Sequence, residues 1–156
     1  MTEPREPSGV YGAAAPGSNV PTSESRNMDH VGRIELSLPP DSRYMRLARL
    51  MASGVATTSG LPLDEVEDFR IAVDELCATL IEMGDDAPIC LVFELGPEAV
   101  VVHASTATSR RDAIDGERLT LSRQILDVVT DGHDLRHTDG EVALSARKLV
   151  RGGGVG

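Results

Sequence analysis

"FRIAVDELCATLIEMG", residues 69–84, is the stretch on which the fold turns. At about 100° per residue, Val66, Phe69, Val73, Leu76, Cys77 and Leu80 fall on one stripe, so the segment predicts a helix with a core face. The helix starts near Leu63, where Asp64, Glu65, Glu67 and Asp68 suit the positive end of the helix dipole, and it ends near Gly84. Two adjacent acids, Asp74 and Glu75, sit in its middle. Glu75 lies roughly 200° from Val73, on the side shared by Asp68, Ile71, Ala78 and Glu82, with Thr79 one turn further on. That side is either a solvated strip or part of a site. Glutamate is rarely buried unless paired, so periodicity alone puts Glu75 in water. Ile71, Ala72 and Ala78 nevertheless make the strip less polar than an ordinary free surface.

Working outward, "GRIELSLP" places Ile34, Leu36 and Leu38 on one face of a half-buried strand ended by Pro39 and Pro40. Asp41 can cap the helix that follows, with Tyr44, Leu47, Met51 and Val55 at helical spacing on its inner face. Arg43, Arg46 and Arg49 form a separate row on the same helix. Beyond Gly84, "PICLVFEL" and "AVVVHAS" read as strands of a hairpin turned at "GPE". A loop over 106–116 carries Arg110, Arg111 and Asp112, and "LTLSRQILDVV" predicts a third helix stopping by Gly132. A short strand at 134–137 and the alternating "GEVALSARKLV" complete the set. The sum is an α+β two-layer sandwich, a mixed sheet with helices packed on one face.

Residues 1–30, rich in Pro, Gly, Ser, Thr and Glu, cannot repay the entropy of ordering and read as a disordered tail. Residues 152–156 read as a flexible end, leaving 31–151 as one folded domain. The first ten residues lack the basic and apolar regions of a signal peptide, and no apolar run approaches the ~20 residues of a membrane span. The expected location is the cytoplasm. A net charge of −10 argues against nucleic acid as a direct partner and fits docking onto basic patches of proteins. Lys148 is the single lysine among fifteen basic residues, a bias that points to a GC-rich bacterial coding sequence. Cys77 and Cys90 lie in apolar segments and read as free thiols. His133 and His137 are four apart but lack a close Cys pair, so no metal is expected. His103, in mid-strand, reads as a structural histidine.

The segments from about residue 33 to 150 resemble, in order and wording, the anti-sigma factor serine kinases, a small bacterial branch of the GHKL (Bergerat-fold) ATPases. "LPPDSRYMRLARLMASGVATTSGLPLDEVEDFRIAVDEL" looks like the family's strand, Pro-rich turn and Arg-containing helix leading to its nucleotide helix. "LTLSRQILDVVTDGHDLRHTDGEVALSARK" looks like its closing helix, turn and strand. In the family's nucleotide helix a Glu is followed four residues later by a magnesium-holding Asn. Glu75 matches the Glu, and Thr79 stands where the Asn would be. After the hairpin the family has an Asp-x-Gly-x-Gly box that receives adenine; this chain reads "STATSRR". At the second glycine box it reads "GERL", keeping Gly116 but placing Arg118 where a small residue is expected.

The resemblance implies a nucleotide site built on Glu75, Thr79 and Gly116, with its contacts weakened together. Charge-assisted contacts contribute about 1.5–3 kcal/mol each, and each ~1.4 kcal/mol is tenfold in affinity, so ATP binding is expected to be weak or lost. The first reading is therefore a binding regulator with no cofactor. It would sequester a sigma factor or be released by an anti-anti-sigma STAS protein, with Arg43, Arg46 and Arg49 facing an acidic partner surface; a homodimer is compatible with it. The alternative is an active kinase that uses Mg-ATP to phosphorylate a serine of the antagonist, with Glu75 as general base. A third is a fold kept for another ligand or for scaffolding.

Overall fold

The computed structural model describes residues 32–110 and 116–152. The tail over 1–30, Arg111 and Asp112, and most of the C-terminal end lie outside the described residues. The elements follow in the order β1 (Gly32–Leu38), α1 (Met45–Thr58), α2 (Leu63–Met83), β2 (Ile89–Leu95), β3 (Ala99–Ala107), α3 (Gly116–Val129), β4 (Gly132–Thr138) and β5 (Glu141–Leu149). The strands form one five-stranded sheet in the order β1-β2-β3-β5-β4. The α+β two-layer sandwich is thus as expected, with every pairing antiparallel where a mixed sheet was anticipated. Among the described residues, no helix is long and apolar enough to cross a membrane.

Alternation along the strands builds the inner layer. Leu91 and Phe93 on β2, Val100, Val102 and Ala104 on β3, and Val142, Leu144 and Ala146 on β5 are all buried. Their register across the sheet is fixed by pairs such as Phe93↔Val102 and Val102↔Ala146. Across this face lies α2, whose predicted stripe Val66, Phe69, Val73, Leu76, Cys77 and Leu80 is buried throughout. Phe69 meets Phe93 edge to face at 6.3 Å between ring centroids. The hairpin closes where the Gly96 amide donates to the Ala99 carbonyl at 3.0 Å.

Two expectations for the first third of the chain need correction. The buried face of α1 is Ala48, Ala52, Val55 and Ala56, while Tyr44 and Leu47 are exposed. Alanines at four-residue spacing let α1 approach α2 closely, which larger side chains would prevent. On β1 only Leu38 is buried; Leu36 is half-buried and Ile34 exposed, because α1 stops short of covering this edge strand. The result is an apolar groove of about 480 Å³ between β1 and α1, lined by Ile34, Leu36, Leu47, Leu50, Met51 and Val55.

Candidate functional site: the seam between the second and third helices

The adjacent acids of α2 point to different neighbours. Asp74 turns toward α1, where Arg49 donates from Nε and Nη2 to its two carboxylate oxygens at 2.7 and 3.1 Å. This contact raises the pKa of Arg49 above its ordinary value, chiefly through the hydrogen bond itself. Glu75 turns toward α3, and its side chain is only 12% exposed. The expectation that Glu75 faces water is therefore overturned. A helical wheel gives direction but not cover, and the cover here is α3, separated from α2 by two strands in sequence.

Along the seam two rows of side chains meet. Arg118 reaches from the first turns of α3 to both acids of the α2 row, with Nη2 3.5 Å from Glu75 Oε1 and Nε 3.0 Å from Glu82 Oε2. One turn further along α3, Ser122 is buried with its hydroxyl 3.1 Å from that of Thr79, which has no exposed surface. The Thr79 hydroxyl also donates to the Glu75 carbonyl at 2.9 Å. Arg118 and Ser122 are four apart, and Glu75, Thr79 and Glu82 recur at four and three. Each set therefore occupies one helix face, and the faces interlock. Ser122 was not singled out from sequence, and Glu82 was placed on the Glu75 side of the helix without a role; the shared spacing was the available signal.

The C-terminal end of α2 is a second meeting point. Its last carbonyls lack intrahelical donors. Arg110 Nη1 donates to the Glu82 carbonyl at 2.9 Å, and the Thr108 hydroxyl donates to that of Met83 at 3.0 Å. The Ser109 amide donates to the Asp85 carboxylate, which holds the Asp85 pKa below the usual carboxylate range. The stretch after β3 is thus tied to the end of α2 by a threonine and an arginine, and to Asp85 just beyond it by a serine amide, where the resembled family places an acid and glycines.

These residues do not fit magnesium-bridged ATP as arranged. Glu75 already faces a cation of its own chain, and the Thr79 hydroxyl is engaged on both sides. Gly116 does not join them. It lines a shallow cleft on the outer side of α3 with Glu117, Thr120, Leu121 and Gln124. Of the arginine row, Arg43 is held by Asp41 at 2.7 Å and Arg49 by Asp74, whereas Arg46 is exposed without a described partner.

The remaining candidates fall outside the seam. His133 pairs with Asp127 at 2.7 Å. His133 and His137 lie on β4, where four residues span about 13 Å, too far for one ion. Among the described residues no group of three or more His, Cys, Asp or Glu side chains could hold a metal. His103 is exposed, 3.4 Å from Glu94. Cys77 and Cys90 are free, the first buried and the second half-buried. Lys148, given only a compositional meaning from the sequence, is buried on the inner face of β5 with its ammonium 3.1 Å from Asp68 of α2.

A five-stranded antiparallel sheet with helices on one face is compatible with the GHKL-like sandwich. No family model matches the chain. Among curated proteins it is similar to a serine-protein kinase RsbW of Bacillus cereus (strain AH187), 32% identical over 71 residues and covering 44% of each chain. A second RsbW, from Bacillus cereus (strain B4264), is 30% identical over 81 residues, 50% of this chain and 51% of the relative. A third, from Bacillus thuringiensis (strain Al Hakam), is 32% identical over 71 residues. The chain spans about half the length of the curated relatives it matches.

Proposed function

We propose that this protein is a bacterial, cytoplasmic regulator that acts by binding other proteins, in the manner of an anti-sigma factor, with its nucleotide chemistry lost or weak. Its partners on this reading are a sigma factor that it sequesters and a STAS-type anti-anti-sigma protein that releases it. The observation that carries the reading is the Glu75–Arg118 ion pair across the seam, where a nucleotide-binding relative would need an open carboxylate. Supporting it, an apolar groove lies between α1 and β1, and the same helix exposes Arg46, a cation without a described partner, a mixture suited to docking protein. Among the described residues β1 is an edge strand, which fits pairing with a second copy of the chain. The folded domain on this reading is 31–151, with Arg43, Arg46 and Arg49 contributing to partner contact.

The relatives are named serine-protein kinases, and this favours a second reading, an active kinase using Mg-ATP. Glu75 would then serve as general base, which requires it to be freed from Arg118. One experiment separates the two. The full chain is incubated with labelled Mg-ATP and a STAS protein from the same genome, and its binding to sigma factors is measured alongside. The first reading expects tight, nucleotide-independent capture and no labelled serine. Stoichiometric phosphoserine on the STAS protein would replace it with the second.

A further inference from the structure

We infer that Arg118 is a built-in counter-ion that closes the α2–α3 seam, occupying the position beside Glu75 that a cation-bridged polyphosphate would require. The inference rests on the binding-only reading and names the residue that would enforce it.

Displacing Arg118 outward would disturb more than one contact. Glu75 Oε1 is out of contact with water and has no hydrogen bond, so the guanidinium at 3.5 Å is its only cationic neighbour among the described residues. A buried carboxylate stripped of its counter-charge is strongly disfavoured. Arg118 Nε also lies 3.0 Å from the Glu82 carboxylate, an ion pair without a hydrogen bond, and the Glu82 backbone carbonyl accepts from Arg110. Two arginines therefore converge on the last turn of α2, where the negative end of the helix dipole favours cations. A turn along α3, the buried Ser122 and Thr79 hydroxyls are in contact at 3.1 Å and close the seam at that level. An incoming divalent cation would also meet the fixed positive charge of the guanidinium. A small residue at 118 would remove the charge and expose the α3 backbone together.

The test is isothermal titration of the full chain with Mg-ATP and Mg-ADP, comparing the native protein with Arg118→Ala and Arg118→Met. Circular dichroism and thermal melts check that each variant is folded. The native chain is expected to show no saturable binding up to about 1 mM. Both variants are expected to gain at least tenfold, in a magnesium-dependent manner. Arg118→Met preserves length without charge and guards against a collapsed alanine variant. A gain in Arg118→Ala alone would assign the closure to bulk and overturn the counter-ion. Folded variants that bind no better than a non-binding native chain would overturn the inference and leave the binding-only reading standing. Native binding tighter than about 100 µM would overturn both.

Discussion

Arg49 of α1 and Asp74 of α2 are joined by two hydrogen bonds, 25 residues apart in sequence, on the side of the helix that faces α1 and not α3. One helix thus carries neighbouring carboxylates neutralised by arginines from helices on either side. Of the first arginine row, this leaves Arg46 as the cation without a described partner.

Arg46→Glu is therefore expected to weaken partner capture at least tenfold with an unchanged melting temperature. Arg49→Glu sets two acids face to face and is expected to lower stability as well. Both side chains of that pair are more than a third exposed, so the stability loss is about 1 kcal/mol or less. Paired melts and sigma-factor binding of the two variants check this. Equal stability losses would remove the distinction.

Lys148 and Asp68 link β5 to α2 beneath the start of the helix. Asp68→Ala strands a buried ammonium and is expected to cost about 1.5–3 kcal/mol in urea denaturation. Lys148→Met replaces that ammonium with an apolar chain of similar length and is expected to be milder. The reverse order would show that the lysine is solvated.

Burial pushes the Cys77 thiol up to about 12 from 9.0, with the charge of Asp74 adding to the effect and Arg49 opposing it. The unfolded thiol ionises near its ordinary value while the folded one stays protonated. Above pH 9.0 the unfolded state therefore binds fewer protons, and stability falls with rising pH until the folded thiol itself titrates near 12. Between pH 8 and 10 the native chain is expected to lose more of its melting temperature than Cys77→Ala does. Parallel losses in the two proteins would refute this. With a thiol reagent, half-buried Cys90 is expected to react before Cys77.

Gly84 ends α2 against the side chain of Thr106. A Cβ there would lie 2.9 Å from Thr106 Cγ2 and 3.0 Å from the Leu80 carbonyl oxygen. The Thr106 hydroxyl is in turn donated to the carbonyls of Ala87 and Pro88, so the side chain cannot simply rotate away. Gly84→Ala is expected to cost about 1–3 kcal/mol, partly recovered in Gly84→Ala/Thr106→Ser, which deletes the crowding methyl. Denaturant midpoints of the single and double variants measure it.

Much of the fold was legible because period and punctuation agree. The stripe of α2, the hairpin at Gly96 and the alternation of β5 each follow from local spacing bounded by turn residues. The inner face of α1 was misread because hydrophobic size was taken as the guide. Packing against α2 selected alanine for closeness and left Leu47 and Leu50 at the groove. Within the site, Glu75 stood out as an acid in the middle of an apolar helix, whereas Thr79 and Arg118 stood out only through the family resemblance. Their contact could not, since no local rule brings position 118 to position 75.

Sequence alone determined the elements, the core stripe of α2 and the lack of acid and glycine in "STATSRR", because these are properties of neighbouring residues. The tertiary structure decided where the acids of α2 point. Asp74 and Glu75 are 100° apart on one helix, and only the placement of α1 and α3 on either side gave each its arginine. Burial and charge pairing depend on what covers a helix face, and that cover comes from distant parts of the chain.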